Sequence, residues 1–140
     1  MIKRAARYTA GLLLTLHALA LMACGHCVED KIAAVYDHAV VKRALGSSHQ
    51  VAFFHIDGAL ASGNAAWREL EASAESVAGV DRGSVRISLE SASLAVSFDP
   101  RRSSLAAVHK ALERKLAAKK FSLLLMRVMD RPAELKTAGH

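Results

Sequence analysis

Between Ser84 and Pro100 the chain alternates apolar and polar residues twice, and this is the pattern that most restricts its fold. In Ser84-Val85-Arg86-Ile87-Ser88-Leu89-Glu90 every second residue is apolar, so Val85, Ile87 and Leu89 share one face of a strand. Ser91-Ala92-Ser93 reads as a turn, and Leu94-Ala95-Val96-Ser97-Phe98 alternates again. Asp99-Pro100 ends the second strand, because proline has no N–H to give to a ladder. Such a hairpin is apolar on one side only, so the rest of the chain must supply a layer to cover it.

The flanking sequence supplies that layer. Before the hairpin, Gln50-Val51-Ala52-Phe53-Phe54-His55-Ile56 is a strand by its β-branched and aromatic content. A loop over 57–63 follows, and Asn64 is expected to cap a helix through Trp67, Leu70, Ala74 and Val77 that ends near Gly79. After the hairpin, Ser103 or Ser104 caps a helix with Leu105, Val108, Leu112 and Leu116 on one stripe. Phe121 to Val128 reads as a last strand, and 130–140 as a short tail. The order strand–helix–strand–strand–helix–strand predicts an α+β fold, a ferredoxin-like βαββαβ sandwich over 49–129.

One further element stands in front. Val28, Ile32, Val35 and Ala39 recur at helical spacing, so 27–44 is expected to form an additional N-terminal helix, and Gly46-Ser47-Ser48 a linker. Phe53 and Phe54 point to opposite faces of the first strand, as do Leu123 and Leu124 of the last. A sheet apolar on both sides along those strands needs a second cover, and the extra helix is placed there. The two hairpin strands are expected to be one-sided. A chain starting near Gly46 is expected to fold alone.

The first 23 residues have the organisation of an export signal. Lys3, Arg4 and Arg7 precede an apolar run from Gly11 to Ala20, shorter than the roughly 20 residues of a membrane-spanning helix. The whole chain has 19 basic and 13 acidic residues, a net charge of +6. Removing 1–23 takes three basic residues and no acidic ones, which leaves 16 against 13, or +3. With aromatics at 5%, that balance argues against a nucleic-acid partner. The expected location is outside the cytoplasm, in the periplasm. Leu21-Met22-Ala23-Cys24 also looks like a lipobox, so membrane anchoring through a lipidated Cys24 stays open.

From Val51 to Val128 the sequence resembles a heavy-metal-associated domain, the module of copper chaperones and metal-pumping ATPases. The resemblance rests most on the hairpin and its aromatic-Asp-Pro ending, Phe98-Asp99-Pro100. It implies a loop of the form Gly-Met-x-Cys-x-x-Cys after the first strand, with thiolates that bind Cu(I). Here that loop reads Gly58-Ala59-Leu60-Ala61-Ser62-Gly63-Asn64, with Ala61 and Asn64 where the cysteines would stand. The stretch after Gly79-Val80 is longer than the family's, and no Gly-Tyr follows the second helix. The resemblance therefore carries over the fold and not the loop's metal site.

The two cysteines of the chain lie elsewhere, in Met22-Ala23-Cys24-Gly25-His26-Cys27, within the segment 24–46. Two thiols three positions apart at a helix start can face one centre, and the dipole there favours thiolate. Thiolates suit Cu(I) and Zn(II), and His26 could add an imidazole. The expected metal ligands are Cys24, Cys27 and His26, in a protein that binds or transfers a soft metal to or from a partner protein and is not an enzyme. Cys-Gly-His-Cys is also a thiol–disulfide redox motif, and an envelope redox protein is the first alternative. A lipid-anchored interaction module without metal is the second. His38 and His55 are expected to be a solvated residue and a polar residue facing the cover.

Overall fold

The computed structural model describes residues 28–131 of the chain. The chain divides into two units, Met1–Asp30 and Lys31–His140. Its elements are α1 (28–35), α2 (His38–Gly46), β1 (Gln50–Asp57), α3 (Asn64–Glu75), β2 (Arg86–Ser88), β3 (Ser93–Phe98), α4 (Leu105–Ala117) and β4 (Ser122–Met129). The strands form one antiparallel sheet in the order β2-β3-β1-β4. With α3 and α4 as its two crossovers, this is the ferredoxin-like sandwich expected from the sequence.

Register assigns the two faces. Ala52 lies opposite Val96, Phe54 opposite Leu94 and Ile56 opposite Leu123, and residues directly opposite share a face. These side chains pack with Leu70 and Ala74 of α3 and Val108, Leu112 and Leu116 of α4 in the main core. Ser104 caps α4 as expected, its Oγ accepting from Ala107 N at 3.2 Å. Asn64 does not cap α3: it is the first helical residue, and the cap position belongs to Gly63, which has no side chain to bond with. β2 is shorter than its alternation suggests, because a turn closed by Ala92 N donating to Leu89 O takes over at Leu89.

The opposite face carries Val51, Phe53 and His55 of β1 against Ser97, Ala95 and Ser93 of β3. Phe53 is completely buried there, which is worth roughly 1.5–3 kcal/mol for a side chain of that size. Its cover is built from α2, which packs on β1 and β3 through Val40, Val41 and Ala44, with buried Ile32 and Val35 of α1. The second cover is thus present, in a form that departs from expectation in two ways.

First, the single helix over 27–44 is broken at Tyr36-Asp37. Asp37 turns out of the helix and caps a new one, Oδ1 accepting from Ala39 N at 2.9 Å and Val40 N at 3.2 Å. The restart shifts the buried stripe, so Val40 goes inside and Ala39 is exposed. Second, the strands buried on both sides are β1 and β3, not β1 and β4. All six residues of β3 are buried, while Leu124 and Leu125 of β4 are 57% and 42% exposed. β3 is central and β4 is an edge, and small Ser93, Ala95 and Ser97 let the helical cover approach closely.

Candidate functional site

The loop between β1 and α3 is where the resemblance would put a metal. It leaves β1 through Gly58, at φ +138°, against the ring of Phe121 and the backbone of Lys120. A Cβ at Gly58 would come within 2.6 Å of Phe121 Cδ1 and 2.9 Å of Lys120 O, so the residue must be glycine. Leu60 folds back onto the core, and Ala59 and Ala61 stay exposed. Beside the loop lies a pocket of about 260 Å³ walled by Leu60, Ala61, Ala66, Leu70, Leu89 and Phe121. The Lys119–Glu69 ion pair stands at its rim. Ala61 and Asn64 occupy the positions where thiolates would stand, and neither offers a soft ligand. Among the described residues no group of three or more His, Cys, Asp and Glu could hold a metal ion.

Cys24, His26 and Cys27 lie outside the described residues. The two histidines set aside in the sequence behave as expected. His38 is exposed at the start of α2. His55 faces the helical cover, its Nδ1 lying 3.1 Å from Lys31 Nζ and 2.9 Å from Ala92 O. Lys31 also donates to Ser91 O at 2.8 Å, which ties α1 to the hairpin turn.

Sequence reasoning missed a polar cluster at the opposite end of the sheet. Asp81, in the loop after α3, has Oδ2 at 2.7 Å from His49 Nδ1 and accepts from Ser97 Oγ at 2.6 Å. His49 Nε2 lies 3.8 Å from Asp99, whose carboxylate is held by Arg101 Nε at 3.0 Å. The Arg101 side chain, and then its backbone N–H, keep the Asp99 carboxyl below the usual carboxylate range. Serine and histidine both meet the same carboxylate here, so the imidazole is not placed to take the serine's proton. The cluster fastens the start of β1, the α3–β2 loop and the end of β3 together. No local pattern joins His49 to Asp81 across 32 positions, so only the folded chain reveals the contact.

The class this arrangement defines is a ferredoxin-like α+β domain with a helical cover on its second sheet face. No protein-family model matches the sequence, and no curated protein matches it. Two solved structures are similar in fold. The crystal structure of oxidized MerP from Ralstonia metallidurans CH34 shares 20% identity over 56% of this chain and 99% of that one, with a TM-score of 0.45. The second is a Cu(I)-loaded solution structure from Bacillus subtilis, the N-terminal domain of a potential copper-translocating P-type ATPase. It shares 18% identity over 59% of this chain and 92% of that one, with a TM-score of 0.44. Among the described residues no helix is long and apolar enough to cross a membrane.

Proposed function

We propose that this chain binds a soft transition metal through Cys24 and Cys27, with His26 as a supplementary ligand, and exchanges it with a partner protein. One observation carries the reading. The loop that would hold metal in a domain of this kind has alanine and asparagine at the ligand positions, whereas the chain's only two thiols stand together in Cys24-Gly25-His26-Cys27. Two thiolates leave Cu(I) with a low coordination number, open to a third ligand from a donor or acceptor, and Zn(II) would draw on His26 as well. On this reading the protein is not an enzyme. It is exported, with 1–23 as the signal, and acts in the periplasm or from a lipid anchor on Cys24.

Titration of the reduced protein with Cu(I) against a competing chelator tests this. The expected result is about one ion per chain, with affinity that falls in acid because thiols must lose protons to bind. Cys24→Ser or Cys27→Ser removes most of the affinity and His26→Ala less. If the chain does not compete, and single serine variants trap mixed disulfides with other proteins, the pair is a redox centre. In that case its potential lies well above the roughly −300 mV of structural bridges. Intact mass of the exported protein reads the cleavage site and any lipid on Cys24 directly.

A further inference from the structure

The two edges of the sheet are finished differently. β2 is three residues long, too short to recruit another strand, and its Arg86 is tied to Asp37 at 2.8 Å. β4 is eight residues long, has no proline, and carries the two exposed leucines Leu124 and Leu125 at its middle. Long, apolar and, among the described residues, without a strand on its outer side, such an edge is a template for another strand.

At one point this edge is already occupied. His109 Nε2 donates to Leu123 O at 3.0 Å, and Glu113 Oε1 accepts from Leu123 N at 3.4 Å. The two side chains are one turn apart on α4, 3.6 Å from each other, and the His109 ring rests on Phe54 with centroids 5.0 Å apart. Together they give Leu123 the donor and the acceptor that a neighbouring strand would give it.

The position of this clamp matters. β4 pairs regularly with β1 from Ser122 to Leu125, and then Met126 bulges out of register between the partners of Phe54 and Phe53. On the regular stretch alternate residues turn their main chain away from β1. Leu123 does so, as its bonds to α4 show, and Leu125 is the next. A second copy laid antiparallel about a two-fold axis through Leu124 would bond Leu123 of each chain to Leu125 of the other. Leu124 would then meet its own copy. That register buries both exposed leucines and keeps Arg127, the one charged residue of β4, away from its symmetry mate. It requires the Leu123 N–H and C=O that His109 and Glu113 hold.

We propose that β4 is a latent self-pairing edge whose partner is a second copy of this chain, and that His109 and Glu113 form the latch that keeps it shut. The test uses a disulfide at the two-fold. Leu124→Cys is placed in the full chain carrying Cys24→Ser and Cys27→Ser, so that no other thiol is present. Directly opposed residues of a non-hydrogen-bonded pair have Cα atoms about 4.5 Å apart, within the range a disulfide spans. His109→Phe keeps the packing on Phe54 and removes the donor, and Glu113→Ala removes the acceptor.

With both latch changes, oxidised glutathione is expected to give several-fold more cross-linked dimer than the same chain with the latch intact. Leu125→Cys in place of Leu124→Cys, which has no symmetric partner, stays low. Glu113→Ala alone, at a half-buried position outside the core, gives a smaller rise in the same direction. Equal cross-linking with and without the latch, in chains that circular dichroism shows folded, overturns the proposal. So does cross-linking of the Leu125→Cys chain as strong as that of the Leu124→Cys chain.

Discussion

Single residues are decisive here where the backbone is crowded. Gly58 combines a positive φ with a neighbour on each side, one of them the Lys120 carbonyl, which cannot rotate away as a side chain could. Gly58→Ala is therefore expected to destabilise the fold by about 1–3 kcal/mol, read as a shift of the urea midpoint. Gly63→Ala meets nothing within 4 Å and has only its φ of +110° to contend with, so it should cost less. Ser93 illustrates the opposite situation. Its hydroxyl is buried without a hydrogen-bond partner, an uncompensated desolvation cost beneath the helical cover.

At the level of elements, the break between α1 and α2 is an electrostatic event as much as a conformational one. The Asp37 carboxylate accepts from the first turn of α2 and from Arg86 Nε at 2.8 Å. The Val40 backbone N–H, and then the Arg86 side chain, hold its carboxyl below the usual carboxylate range. A carboxyl that is more acidic in the folded chain contributes stability above its unfolded pKa, near 3.9, and loses it as pH falls through the folded value. Asp37→Ala should lower the melting temperature at neutral pH. The gap from the unsubstituted protein should close as the pH drops below about 4. Asp37→Asn, which keeps the cap oxygen and loses the charge, should fall between the two.

On the scale of the whole molecule, the helical cover is part of the fold. A chain starting near Gly46 would lose Ile32, Val35, Val40, Val41 and Ala44 and bring Phe53, Val51 and Ala95 of the sheet to the surface. This packing argues against the expectation that such a chain folds alone. The truncated protein should bind a hydrophobic dye and associate, with a far lower urea midpoint than a chain that keeps residues 28–46. A test of whether the Gly58–Asn64 loop is silent toward Cu(I) must therefore use the full chain with both cysteines replaced.

Much of this architecture is written in local sequence. Alternation sets the hairpin, the apolar stripe and Ser104 set α4, and Asp99-Pro100 ends β3, because each depends on neighbours a few positions away. The absence of soft ligands from the Gly58–Asn64 loop and the pairing of the only thiols are equally legible, since they are matters of residue identity. Tertiary structure decided the rest. Whether a strand is buried on one face or both depends on its place in the sheet order. Leu124 and Leu125, apolar as they are, stay exposed at an edge, while Ser93 and Ser97 are buried at the centre. The His49–Asp81 contact and the hold of His109 and Glu113 on Leu123 likewise join residues that no periodicity relates, and only the folded chain brings them within bonding distance.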